Sequence, residues 1–118
     1  MNNQERGRLG EDLAVEFLLG AEYVVIDRNW RCRHGEVDII ARDVDGSVVF
    51  IEVKLRSSVA FGTPAAAINL SKLRRMWMVA RTWAHEHLPY GTVLRVDLIA
   101  VVLADGEAPR IEHRKGLQ

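Results

Sequence analysis

Residues 35–54 read GEVDIIARDVDGSVVFIEVK, two apolar runs joined by a turn, with charges where such strands carry hydrophobic cargo. Asp38 interrupts Val37, Ile39 and Ile40, and Glu52 and Lys54 follow Val48 to Ile51 with one valine between them. Residues two apart in a strand share a face, so Glu52 and Lys54 point the same way. The turn decides whether Asp38 joins them. A two-residue loop at Asp45-Gly46 pairs Val44 with Ser47, sets Asp38 opposite Val53 and turns its carboxylate away from Glu52. A three-residue loop, Val44 to Gly46 with Gly46 left-handed, pairs Asp43 with Ser47 and sets Asp38 opposite Glu52. We adopt the second register. It gathers Asp38, Glu52 and Lys54 beside Ile40 and Phe50, and leaves Val37, Ile39, Ala41, Val49, Ile51 and Val53 as an unbroken apolar face for helices to cover.

Carboxylates opposed across neighbouring strands have Cβ atoms about 4.5–5.5 Å apart. Their charges repel unless a cation lies between them. Mg²⁺, or Mn²⁺ in its place, suits that gap: Mg²⁺ takes oxygen ligands at about 2.0–2.1 Å and keeps several waters or phosphate oxygens in its shell. Lys54 beside it supplies a fixed positive charge or a proton handle for water attacking phosphorus. In outline this is a phosphodiester-hydrolysing site. A solvated or ion-paired hairpin face uses the same residue types; here, however, the charges interrupt strands too apolar to be half-exposed.

The chain has 118 residues, the size of one domain with an ordinary core. The longest uncharged apolar run, Leu98 to Ala104, is far short of a membrane span and reads as a buried strand. Met1 to Glu5 carry neither a basic leader nor an apolar segment, so no export signal is expected. Cys32 is the only cysteine, which excludes an internal disulfide and a thiolate zinc site and fits the reducing cytoplasm. Net charge is zero, yet residues 1–53 hold 11 acids against 6 arginines, while Lys54 to His85 hold 6 basic residues and no acid. Such segregation points to a basic surface beside an acidic pocket.

Asn2 and Glu5 form a capping box opening a helix to about Leu19, with Gly20 as its left-handed terminator. Leu9, Leu13, Ala14, Phe17 and Leu18 make its buried stripe, Gly7 and Gly10 allow close approach to the sheet, and Glu11 lies at the stripe's edge, within reach of the hairpin site. Tyr23 to Ile26 reads as a short strand and Asp27 to His34 as a polar link, where Trp30 among Arg28, Arg31 and Arg33 has the ring-and-guanidinium mix of nucleic-acid surfaces. Glu36 shares the Asp38 face as a peripheral acid. Phe61-Gly62-Thr63-Pro64 reads as a loop, and Pro64 to His87 as helical with a break near Asn69 to Ser71. Its buried stripe is Leu70, Leu73, Met76, Trp77, Ala80 and Ala84; Lys72, Arg75 and Arg81 lie elsewhere on its surface. Leu94 to Leu103 is a long strand, with Arg95 the expected partner of Asp97, and Arg110 to Glu112 a weak edge strand.

With these residues in view, the chain resembles the PD-(D/E)xK nuclease superfamily, and more closely the YraN family of small bacterial proteins, which look like archaeal Holliday-junction resolvases. The resemblance spans roughly Arg6 to Val102 and rests on four motifs taken together: Gly7-Arg8-Leu9-Gly10-Glu11, Gly35 to Arg42, Phe50-Ile51-Glu52-Val53-Lys54 and Phe61-Gly62-Thr63-Pro64. Val37 stands where the superfamily's name has proline. The resemblance implies an α/β fold, a restriction-endonuclease-like mixed β-sheet flanked by helices in the order α-β-β-β-α-β-(β). It implies Asp38, Glu52, the Val53 main-chain carbonyl and Glu11, the acid added from the N-terminal helix, as metal ligands, Lys54 positioning or activating water, and a homodimer as an assembly. The expected function is metal-dependent endonucleolytic cleavage of DNA, branched or otherwise structured, with Arg31, Arg33, Arg56, Lys72 and Arg75 as backbone-binding residues and no membrane partner. Two rivals stand beside it: a nucleic-acid-binding module without turnover, and a protein-interaction or dimerisation domain on the same fold.

Overall fold

A computed structural model describes residues 1–57 and 68–118. The elements are α1 (Asn3–Gly20), β1 (Val24–Cys32), β2 (Gly35–Arg42), β3 (Val48–Arg56), α2 (Leu70–His87), β4 (Leu94–Val102) and β5 (Arg110–Arg114). The strands form one sheet in chain order, parallel between β3 and β4 and antiparallel elsewhere. This is the expected mixed sheet. Strand alternation gives it two apolar faces. One buries Ile39, Ala41, Val49, Ile51, Ile99 and Val101 beneath Ala14 and Leu18 of α1. The other packs Ile40, Phe50 and Val96 against Leu73, Met76, Val79 and Trp83 of α2.

Local chemistry sets the element ends. The Asn2 side chain accepts the Glu5 N–H at 2.8 Å, a cap worth about 1 kcal/mol. At the far end Gly20 is still helical, and Glu22 takes the left-handed conformation (φ 69°) while Tyr23 N–H closes onto Leu18 O at 2.9 Å. The terminator is therefore two residues beyond the expected glycine. A Cβ on Gly10 would stand 3.3 Å from Leu55 Cβ, so α1 crosses β3 there more closely than alanine allows without a shift; Gly7 faces open space and has no such role.

The hairpin turn follows the three-residue register. Asp43 N–H donates to Ser47 O at 3.0 Å, Gly46 has φ 90°, and the partners run Arg42↔Val48, Ala41↔Val49, Ile40↔Phe50 and Ile39↔Ile51. The pairing of β2 with β3 stops there, although both strands continue. Val37 departs from the expected face: it packs with Ile40 and Phe50 on the α2 side, because alternation breaks at Asp38 where the strands separate.

Three further expectations change. The segment 27–32 is strand and not a link: β1 runs on to Cys32, pairing Trp30 with Val37 and Arg31 with Glu36, so ladder hydrogen bonds override its polar composition. Trp30 accordingly packs on the α2-side core and is no exposed stacking ring. α2 begins at Leu70, capped by Asn69 accepting the Lys72 N–H at 2.8 Å; the helical reading of 64–67 and the Phe61 to Pro64 loop lie outside the described residues. Leu70 is 60% exposed, and the buried stripe of α2 is instead Leu73, Met76, Val79, Ala80 and Trp83, the spacing that keeps one face of a helix on the sheet.

Asp97 is fully buried in the α1-side core. Arg95 Nε and Nη2 reach it at 3.0 Å, His113 Nε2 at 2.7 Å and Gly116 N–H at 3.0 Å, and Arg95 Nη1 also holds Asp43 at 2.8 Å. Burial alone would push the Asp97 carboxyl up, but the bonds from His113, Arg95 and Gly116 outweigh it and hold the group below its usual range. Removing one partner of such a network strands a buried charge. Asp97→Ala is expected to lower unfolding free energy by about 3–5 kcal/mol in urea titrations at pH 7; a loss under about 1 kcal/mol would contradict the network's role. A carboxyl with a depressed folded pKa stabilises above its unfolded value, so the wild-type advantage over Asp97→Asn should be complete at neutral pH and shrink below about pH 4.

Candidate functional site

The site begins where β2 and β3 part. Asp38 lies opposite Glu52 in the hairpin register, one step past the last ladder pair Ile39↔Ile51. Instead of a main-chain bond, Asp38 Oδ2 accepts the Val53 N–H at 2.7 Å. The aspartate thus bridges the opening fork with its side chain and stays half-buried. Beside it lies an open cleft of about 260 Å³, lined among others by Glu36, Asp38 and Glu52 from the sheet and Lys72, Arg75 and Met76 from α2.

Two ammonium groups converge on one glutamate oxygen. Lys72 Nζ stands 2.8 Å and Lys54 Nζ 3.2 Å from Glu52 Oε1. The Lys72 amine alongside, together with burial, pushes Lys54 below the ordinary lysine value against the pull of Glu52. For Lys72, burial acts the same way but is outweighed by its bonds to Glu52 and Lys54, so it is raised. Of the two, Lys54 yields its proton more readily. Lys72 was expected on the open helix surface; its position in the first turn of α2 brings it over the end of β3 and onto Glu52.

Glu11 enters from the α1 layer, only 9% exposed. Its Oε1 accepts from Arg28 Nε at 2.9 Å and from Asn29 Nδ2 at 2.9 Å, and Arg28 Nη2 continues to Asp12 at 2.7 Å. Burial pushes the Asp38 carboxyl up to about 6; the Val53 bond opposes this, and the charges of Glu52, Glu11 and Glu36 add to it. Burial and three like charges thus leave this acid without a compensating positive charge of its own.

The donor set fits a hard divalent cation. Asp38, Glu52 and Glu11 each have one oxygen engaged by protein donors: the Val53 N–H on Asp38, Lys54 and Lys72 on Glu52, and Arg28 and Asn29 on Glu11. Outer donors of this kind orient metal-binding carboxylates. Among the described residues no three His, Cys, Asp or Glu side chains gather closely enough to cage an ion. An ion at the fork would therefore take no more than two carboxylates and complete its shell with water and phosphate, as Mg²⁺ can.

The remaining sequence candidates divide. Arg75 is exposed on the cleft rim. Arg31 pairs with Glu36 at 2.8 Å, and Arg33 Nε reaches only His34 Nε2 at 3.4 Å. Arg56 is exposed at the end of β3, its carbonyl accepting the Leu103 N–H. Asn29 is the residue the sequence reading missed. The available signal was an asparagine, the side chain best suited to a left-handed backbone, inside a run that otherwise pairs as strand.

Residues 10–101 match the model of Uncharacterised protein family UPF0102. A UPF0102 protein of Renibacterium salmoninarum is 43% identical over 113 residues, covering 96% of this chain and 95% of that one. Another, of Rhodococcus opacus, is 44% identical over 112 residues, covering 95% and 94%. Among solved structures, a repair endonuclease from Pyrococcus abyssi superposes with a TM-score of 0.47 at 24% identity over 79% of this chain, and an EndoMS–dsDNA complex with 0.48 at 22% over 82%. This chain spans 38% of the length of each of those two. The match across residues 10–101 and the identity along nearly the full length of these relatives place the chain in the UPF0102 family.

Proposed function

We propose that this chain is a metal-dependent endonuclease-like domain that hydrolyses phosphodiester bonds in DNA, with branched or otherwise structured DNA as the substrate class. The observation that carries the reading is the convergence of Asp38 and Glu52 at the fork with the Lys54 amine beside them, on a cleft rimmed by Lys72 and Arg75. Asp38, Glu52 and the Val53 carbonyl would hold Mg²⁺ or Mn²⁺, with Glu11 as the outer acid. When bound, the ion supplies Lewis-acid polarisation and a more acidic water.

The protein's own groups do the rest. The Val53 N–H fixes the Asp38 rotamer, so the two acids meet the scissile phosphate in one orientation. Lys54, its pKa lowered, takes a proton from the attacking water or stabilises the charge gathering on phosphorus. Lys72 and Arg75 draw the DNA backbone to the cleft, with Arg33 and Arg56 as further contacts and Arg31 released from Glu36. With one cysteine and no disulfide, the domain suits a reducing compartment such as the cytoplasm.

A second reading has its own observation. Glu52 is already paired with two lysines, so a DNA-binding module without turnover needs no ion at the fork. It predicts salt-sensitive DNA binding weakened by Lys72→Ala and Arg75→Ala and indifferent to metal and to Glu52→Ala.

Incubation with Mg²⁺ or Mn²⁺ and a panel of linear, flapped and four-way DNA separates the two. Cleavage of at least one substrate is expected, falling about 10²-fold or more in Asp38→Ala and Lys54→Ala; no cleavage of any, or cleavage unchanged in Asp38→Ala, rejects the nuclease. Lys72→Ala should weaken DNA binding and lower the salt slope by about one, and an unchanged slope would remove Lys72 from the phosphate contacts. The site also bears on stability. A carboxyl whose folded pKa is raised to about 6 costs folding free energy above that pH and nothing below its unfolded value. Without metal, Asp38→Asn is therefore expected to stabilise the protein by roughly 1–3 kcal/mol at pH 8, the gain fading towards about pH 4; an equal or lower melting temperature at pH 8 would contradict it.

A further inference from the structure

The pairing of β1 with β2 shifts register between Val25 and Asp27 and then keeps one register to Cys32, yet the backbone turns out of the strand conformation beside the site. Partners run Arg28↔Ile39 and Trp30↔Val37, which leaves Asn29 opposite Asp38, and Asn29 takes the left-handed backbone (φ 55°) inside the strand. A left-handed residue mid-strand persists only where its surroundings over-determine it, and such residues gather at functional sites. Here the Asn29 amide donates to Glu11 Oε1 at 2.9 Å, onto the same atom that Arg28 Nε reaches at 2.9 Å. Both residues flank the acid from one strand, and Arg28 is itself anchored one residue along α1, on Asp12 at 2.7 Å. A strand irregularity alone would be served by glycine; the amide aimed at a buried acid of another layer is what asparagine adds.

We propose that Asn29 is a positioning residue which, with Arg28, locks one oxygen of Glu11 and holds that carboxylate as the outer acid behind the cation seat that Asp38 and Glu52 form at the fork. The inference rests on the metal-dependent reading above. Asn29 touches neither metal nor substrate and acts through Glu11. A second-layer donor of this kind moves metal affinity about 10- to 100-fold when removed.

The test is a cycle read by Mn²⁺ binding, with the metal alone as probe, in wild type, Asn29→Gly, Glu11→Gln and the double variant. Glycine keeps the left-handed backbone and deletes only the amide. Thermal melts and circular dichroism establish that each variant is folded. Asn29→Gly and Glu11→Gln are each expected to weaken Mn²⁺ binding about 10-fold or more, and the double variant to bind no worse than Glu11→Gln alone, because the amide acts only through that acid. Wild-type affinity in folded Asn29→Gly, or losses that add in full, overturns the positioning role while leaving the nuclease reading intact. Wild type that binds no Mn²⁺ overturns the metal reading, and the positioning role with it.

Discussion

The bond from the Val53 N–H to Asp38 Oδ2, 2.7 Å long, stands where the ladder between β2 and β3 gives out. A buried strand needs its N–H groups satisfied. At this point the satisfaction comes from a side chain, and the consequence is geometric. β3 can leave β2 and run parallel to β4 while Asp38 remains tied to it across the gap. The same bond that repairs the fork therefore fixes an acid at its mouth, directly opposite Glu52.

The surroundings are arranged to make that acid uncomfortable. Burial, Glu52, Glu11 and Glu36 all disfavour its charge, while the nearest cations are committed to other acids: Lys54 and Lys72 to Glu52, Arg28 to Glu11, Arg31 to Glu36. In β4, level with Ile51, the same sheet treats a buried aspartate in the opposite way, surrounding Asp97 with Arg95, His113 and the Gly116 N–H. One fold thus holds a satisfied buried acid that stabilises and a half-satisfied one that costs stability. That asymmetry is the free-energy side of the proposed cation site.

Much of this was legible in residues 35–54. The two-residue periodicity, the interrupting charges and the Asp45-Gly46 turn were enough to set the register, because a one-residue slip would have thrown Asp38 to the far face. The helix cap at Asn2 and the break near Asn69, where α2 begins, follow from local chemistry as well. What stayed hidden depended on tertiary contacts. Segment 27–32 pairs as strand because β2 offers it a ladder, something composition cannot report. Val37 changes face because the sheet forks, and Lys72 reaches Glu52 because α2 crosses the end of β3. Asn29 was invisible for the same reason: its left-handed backbone has meaning only once Glu11 is placed above it.

The central claim is that the fork is a seat for a divalent cation. The most direct measurement is a crystal of the protein soaked in Mn²⁺ and examined by anomalous diffraction. A single strong anomalous peak within bonding reach of both Asp38 and Glu52 is the predicted result. Absence of density there at saturating Mn²⁺, with both lysines still seated on Glu52, would contradict it.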